Sequence, residues 1–445
     1  MDISEIQHLY ASHPNRKRLV SFLEDDSVRT IFLGGLRASS AGLFFSSLIQ
    51  ASDSSFVFVL DDLESAGYFY HDLVQINGEE DILFFPSSYR RAVRYGQKDA
   101  AHEILRVEVL NRLQSRGRLA VVTYPEALAE KVISPTAMRA RTMTLEVGQH
   151  VDVEVLEKEL SDFGFDLTDY VYEPGQYAVR GSIVDIFSYA SEYPFRIDFF
   201  GNEIDSMRTF EVDTQLSKEK KSAVSIIPSS TREELSSGVS FLHFIPEHTI
   251  IGLKDLPWVQ AVHDDAISTQ ALQAYEGDKR ELLNMRERLI DSADFSNALS
   301  GFKCMEFGNK PAYSPQRTLT FDITPQPVYH KNFDLVSSSL TDYLRKGYTV
   351  YICSDSRKQP VRLKAIFDER GDEILFTSVN KTLHEGFSDH HLKCCIFTDH
   401  QLFDRFHKYS LKSDKVRSGK VALTLKELNE FEWGDYLVHI DHGIG

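Results

Sequence analysis

The sequence predicts an α/β protein: a parallel-sheet domain interrupted by a small α+β domain and followed by a second α/β domain. Three observations carry this. Short apolar β-type runs alternate with helical runs up to residue 123, the pattern of a parallel sheet covered on both faces. From Met143 the alternation gives way to short β segments joined by tight turns. Strand and helix then resume beyond Ser229, and again after Pro327. The 445 residues are 42% hydrophobic and 26% charged, a globular composition, and their number suggests about three domains.

The elements follow in order. Thr30–Leu33 reads as a buried strand, and a helix opens at Leu43–Ile49 after a Gly/Ser-rich turn. Ser55–Leu60 (SFVFVL), Asp81–Phe85 (DILFF) and Arg118–Thr123 (RLAVVT) are further strands, with a long helix over Ala100–Arg116. This places the first part of the parallel-sheet domain at 1–141, the inserted domain at 142–228 and the second part at 229–327. Within that last part, HTIIGL (His248–Leu253) is a strand and Asp265–Ser292 a helical run. A unit at 328–426 has helices over Leu335–Lys346 and Lys358–Arg370 and strands over Thr349–Cys353 and Lys393–Thr398. Lys408–Gly419 reads as a polar linker, Leu423–Glu432 as a helix and Asp435–Ile440 as a strand. Residues 427–445 then open a domain too short to bury a core, so the chain reads as the front part of a longer protein.

The net charge of −17 argues against a surface that grips nucleic acid over most of its area. The N-terminus has no apolar signal core, and no run is long enough to cross a bilayer, so the cytoplasm is the expected compartment. Cys304, Cys353, Cys394 and Cys395 are too few and too irregular for a disulfide framework.

The stretch Phe195-Arg196-Ile197-Asp198-Phe199-Phe200 is the most informative. Strand alternation puts Phe195, Ile197 and Phe199 on a core face and Arg196, Asp198 and Phe200 on the other. Gly201-Asn202 supplies a two-residue hairpin turn and Glu203 starts the return strand. An outer face that sets an arginine beside a phenylalanine has the composition of an interface hot spot. The competing reading is that Arg196 and Asp198 neutralise each other or cross-strand partners while Phe200 packs under a neighbouring domain.

The remaining motifs offer weaker chemistry. The strand before Gly34-Gly35 and the helix after Gly42 have the context of a phosphate-binding loop, but Ser39-Ser40-Ala41 stand where Gly-Lys-Ser/Thr is needed. A structural turn is expected there, and no cofactor. Asp61-Asp62 suit a helix cap better than a metal site. Between Ser87 and Arg118 lie Arg90, Arg91, Arg94, Lys98, Arg106, Arg112, Arg116 and Arg118, with Tyr89 and Tyr95 interleaved. They read as a solvated helix face with acid pairs, the alternative being a nucleic-acid track. His390, His391, Cys394, Cys395 and His400 invite zinc, yet adjacent cysteines on a strand face opposite ways, so core cysteines and no metal are expected. His439, Asp441 and His442 read as a structural strand and turn. No catalytic residue is assigned, and the segment is expected to carry recognition rather than reaction.

Two blocks, EPGQYAVRGSIVDIF with PFRIDFFGNEIDSMR and FEVDTQLS over Glu173–Ser217, and WGDYLVHIDHGIG at the end, resemble the bacterial transcription-repair coupling factors. VVTYPEAL and the loop after Leu33 are similar more loosely. The resemblance implies a degenerate P-loop helicase-like domain, interrupted by a UvrB-like domain that binds UvrA. It carries the family's UvrA-contacting residues onto Arg180, Arg196 and Phe200. It also implies partners for the intact protein: RNA polymerase, mostly through the domain opening at the end of this chain, and double-stranded DNA through ATP- and Mg²⁺-dependent motor domains beyond it. A stand-alone UvrB-like excision-repair subunit and a nucleic-acid-binding module are the alternatives. The short interval from Phe85 to Ala101, with no room for a tyrosine-rich hairpin, disfavours UvrB itself.

Overall fold

The computed structural model describes residues 1–88, 100–115, 118–268, 287–409, 411, 438–439 and 443–444. In chain order, β1 (Thr30–Gly34), β2 (Phe56–Val59), β3 (Ile82–Phe84) and β4 (Ala120–Thr123) come first. β5 (Met143–Glu146), β6 (Asp166–Leu167), β7 (Gln176–Arg180), β8 (Ile183–Ile186), β9 (Phe195–Phe200), β10 (Glu203–Phe210), β11 (Ser217–Lys221) and β12 (Ala223–Ile226) follow. The last are β13 (Ile250–Leu253), β14 (Lys303–Gly308), β15 (Arg317–Thr320), β16 (Ile323–Pro325), β17 (Thr349–Ser354), β18 (Thr377–Asn380), β19 (Phe387–Asp389) and β20 (Cys394–Thr398).

A seven-stranded sheet has the order β15-β1-β14-β13-β2-β4-β3, with every neighbouring pair parallel. Its strands come from both sides of the 143–226 stretch, so one sheet is built from two separated chain segments. β2 is buried at all four positions, as a central strand covered on both faces must be. Helix Ser40–Ala51 is buried from Ser40 to Ile49 and packs Phe45 against Phe58 and Phe307, at ring distances of 4.9 and 5.1 Å. Asp62 caps helix Leu63–Asn77 by accepting from the Ser65 N–H at 2.8 Å, as the capping reading requires, while Asp61 pairs with Lys254 at 2.5 Å.

The expected helical run over Asp265–Ser292 is not one element. A helix covers Leu256–Ile267, started by the Asp255 cap and a proline in its first turn. Residues 287–291 are not helical: the Ile290 N–H donates to the Ala129 carbonyl at 2.8 Å. Another helix begins at Ser292. Residues 269–286 lie outside the described set.

The second sheet has the order β16-β19-β20-β17-β18, parallel through β20, β17 and β18 and antiparallel at β19 and β16. Cys394 and Cys395 are buried on opposite faces of β20, the first in the core shared with the large sheet and the second in this sheet's own core. Side chains from 384–407 pack on helix Leu63–Asn77: Tyr68 stacks on His384 at 3.5 Å, His71 meets His407 at 5.3 Å, and His400 stacks on His407 at 4.6 Å. Burial first, and then neighbouring imidazoles, hold His71, His384 and His400 down to about 4. Val438–His439 pairs antiparallel with Gly443–Ile444. The expected Lys408–Gly419 linker, beyond Lys408, Tyr409 and Leu411, lies outside the described residues. So do the Leu423–Glu432 helix, Asp441 and His442. Among the described residues no helix is long and apolar enough to cross a membrane.

Candidate docking face on the six-stranded sheet

The sheet β11-β10-β9-β8-β7-β6 carries the residues of interest. One face is apolar: Tyr177, Val184, Ile186, Phe195, Ile197, Phe199, Ile204 and Met207 pack with Leu156 and Leu160 of helix Val153–Asp162. The period of two in β8 and β9 dictates this, and the same period sends Asp185, Arg196, Asp198 and Phe200 to the other side.

That other side is not a plain solvent face. Val171, Ala178, Phe187 and Phe210 form a small second core on it. Asp185 lies directly across from Arg196 in the β8–β9 register, and its side chain is 1% exposed. Arg196 grips it with two parallel bonds, Nε to Oδ1 and Nη2 to Oδ2, both 2.8 Å. Its Nη2 also donates to Gln215 Oε1 at 2.8 Å, and its guanidinium sits 4.1 Å over the Phe210 ring. Arg196 is therefore 13% exposed in its side chain, well short of the open arginine expected. The physical reason is the carboxylate buried in Ile183-Val184-Asp185-Ile186, which draws the guanidinium down onto the sheet.

Arg180, at the end of β7, reaches the same carboxylate. Its Nη2 bonds Asp185 Oδ2, its Nη1 donates to the Asp169 carbonyl at 3.0 Å, and it lies 4.7 Å over the Tyr170 ring. It remains 31% exposed. Asp198 takes Arg208 and Ser206, so both charges of β9 are met by cross-strand partners, as the competing reading has it, while Phe200 does not follow that reading. Phe200 is 82% exposed at the hairpin tip, paired across to Glu203 with Gly201 at φ 62° in the turn, and among the described residues no neighbouring element covers it. The fold thus brings Arg180 and Arg196 together on Asp185. Phe200 stands apart, four residues from Arg196 along the same face or roughly 13 Å at the strand rise. Asp185, Tyr170 and Gln215 were missed by the sequence reading. A carboxylate at an alternate position inside an apolar strand is the signal that identifies the first.

Several of the other candidates that lie among the described residues are held by contacts within the fold. In the loop after β1, Gly35 has φ 91°, and a Cβ there would lie 2.2 Å from the Phe321 carbonyl oxygen. Ser39 and Ser40 are buried. Ser40 Oγ donates to the Arg37 carbonyl at 2.6 Å, and the Ser39 N–H donates to the Glu385 carbonyl at 3.3 Å. The backbone of 321 and 385 thus stands against the turn where a phosphate would need room. Beneath it Asp72 accepts the His384 N–H at 2.7 Å, and burial pushes its carboxyl up to about 7.

Of the basic stretch, Arg106 is buried, 3.4 Å from Glu130 and 4.3 Å over the Phe85 ring. Arg112 pairs with Asp81 and Glu108, and Arg118 donates to the Ser52 carbonyl. Tyr89, Arg90, Arg91, Arg94, Tyr95, Lys98 and Arg116 lie outside the described residues. His390 sits between Thr324 and Tyr348 and His391 against His13, so neither gathers with the cysteines.

Comparison with known proteins adds to this geometry. Residues 143–231 match the family described as the UvrB interaction domain. The whole chain is similar to the transcription-repair-coupling factor of Bacillus subtilis (strain 168): 21% identity over 527 residues, covering 100% of this chain and 44% of that protein. Similarity to the transcription-repair-coupling factor of Staphylococcus aureus (strain USA300) is 22% over 493 residues, covering 92% of this chain and 41% of the relative. The chain therefore spans less than half the length of these relatives, and the resemblance read from its two blocks extends along all of it.

Proposed function

We propose that this chain is the recruiting portion of a transcription-repair coupling factor, and that its six-stranded sheet docks UvrA through the face bearing Arg180, Arg196 and Phe200. The observation that carries the proposal is Phe200: a phenylalanine 82% exposed on a paired hairpin, inside the stretch that matches the UvrB interaction domain. What sets Phe200 apart is its place on a paired hairpin of the sheet face that carries Arg180 and Arg196, since aromatics with arginines are the composition of an interface hot spot.

In this reading the seven-stranded sheet is a helicase-like domain that has lost its nucleotide, its loop filled by the chain's own backbone at Phe321 and Glu385. ATP with Mg²⁺, translocation on double-stranded DNA and most contacts with RNA polymerase belong to other domains of the coupling factor. The segment recruits excision repair in the cytoplasm and catalyses no step itself.

The test is capture of purified UvrA by this chain, wild type against Phe200→Ala. Loss of a central anchor costs on the order of 2 kcal/mol or more, so affinity should fall at least about 30-fold. Equal affinity with the fold intact would remove the assignment.

A further inference from the structure

Resting on the docking reading above, we propose that Asp185 is a positioning residue that splits the two arginines by role: Arg180 meets an acidic group of the partner, while Arg196 acts only through Asp185.

Three observations carry this. First, the exposures differ: Arg196 keeps 13% of its side chain in contact with solvent and Arg180 31%, around a carboxylate at 1%. Second, four of the five N–H donors of Arg196 are engaged within the domain. Nε and Nη2 take both Asp185 oxygens, Nη2 also takes Gln215 Oε1, and Nη1 points at the Gln215 carbonyl at 3.5 Å. Gln215 is itself fixed, at φ 59°, by donating from Nε2 to the Val212 carbonyl at 2.8 Å. A guanidinium so engaged, with Phe210 on one face, has to abandon a partner to grip a new one with two parallel bonds. Third, Arg180 is held at its back and side by Asp185, the Asp169 carbonyl and Tyr170, an arrangement that orients a charge without covering it.

Two arginines sharing one carboxylate leave a net positive charge on the face, offered through Arg180. The matching group on the partner is a carboxylate near a pocket that takes the Phe200 ring. Preorganisation explains why a buried acid stands at the centre of a surface that binds an acid: with Asp185 in place, Arg180 is ordered before the encounter.

The experiment uses the whole chain with purified UvrA and follows association and dissociation rates from low to moderate salt. Arg180→Ala should lower the association rate and flatten its salt dependence, the mark of a lost rim charge. The paired change Asp185→Asn with Arg196→Gln leaves the net charge unaltered. It should keep the wild-type salt dependence yet weaken affinity on the order of tenfold through faster dissociation. On an Arg180→Ala background the same pair should add nothing. If the pair fails to fold, Arg196→Lys takes its place, with the same expectation. The proposal is overturned if the folded pair binds as the wild type does, or if its loss adds in full to that of Arg180→Ala, since Arg196 then touches the partner itself. Unchanged binding by both Phe200→Ala and Arg180→Ala would instead remove the docking reading.

Discussion

Ser39 and Glu385, 346 residues apart, hold each other by two hydrogen bonds: the Glu385 N–H donates to Ser39 Oγ at 2.9 Å, and the Ser39 N–H donates to the Glu385 carbonyl at 3.3 Å. Ser39 opens the helix whose N-terminus would cradle a phosphate, so its N–H already has an acceptor. Restoring the missing chemistry with Ser39→Gly, Ser40→Lys and Ala41→Ser should therefore fail to give nucleotide binding. A fluorescent ATP analogue titrated to millimolar concentration checks this, and saturable binding by the triple variant would show that sequence alone had emptied the site.

Phe200 and Phe210 lie ten residues apart on one hairpin and should separate function from stability. Phe200 touches solvent, so Phe200→Ala should leave the unfolding free energy within about 0.5 kcal/mol of wild type while the affinity for UvrA falls. Phe210 is fully buried beneath Arg196, and Phe210→Ala should cost roughly 3–5 kcal/mol. Urea titration of both variants reads the contrast directly.

Asp185 and Arg196 form a buried pair, whereas Asp198 and Arg208 form a half-exposed one on the same sheet. Removing one partner of the first, as in Arg196→Ala, leaves a carboxylate in the interior with a single remaining cation and should destabilise by about 3 kcal/mol or more. Arg208→Ala should cost at most about 1 kcal/mol, because water screens that pair. Equal costs in denaturant titrations would mean that burial does not distinguish them.

Which features were legible in the sequence follows from the range of the interactions involved. The continuous apolar runs of β1, β2 and β4 and the alternation of β9 are local, and these strands appear within a residue or two of where those patterns put them. Phe200 was legible for the same reason, since strand parity alone sends it outward. Arg196 was legible in direction but not in environment. Its burial depends on Asp185 in the neighbouring strand and on Gln215 beyond the next, contacts that a one-strand pattern does not contain. The interruption at 287–291 and the short strands β18 and β19 were missed because tertiary pairing, not periodicity, defines them. The contact between Ser39 and Glu385 is longer in range still, and only the degenerate motif hinted that the loop had changed use.

The histidines between helix Leu63–Asn77 and the 384–407 segment make stability fall with acid. His71, His384 and His400 are held near 4 by burial first and then by neighbouring imidazoles, that of His407 for His71 and His400 and those of His400, His407 and His71 for His384, and burial does the same to His263. Their unfolded value is 6.5, so between pH 6.5 and 4 the unfolded chain binds more protons than the folded one. The stability present above 6.5 is lost as pH drops through that window. Asp72 works in the opposite sense. Its folded value of about 7 lies above 3.8, so its contribution is present at low pH and fades as pH rises through 7. Four imidazoles against one carboxyl leave a net loss, steepest near pH 5. Replacing His71 by Gln removes one of those protons and should flatten the slope there by at most about 1.4 kcal/mol per pH unit. Urea titrations at half-unit steps from pH 5 to 7 measure both slopes. A wild-type stability that rises toward pH 5 would show that these imidazoles are protonated within the fold.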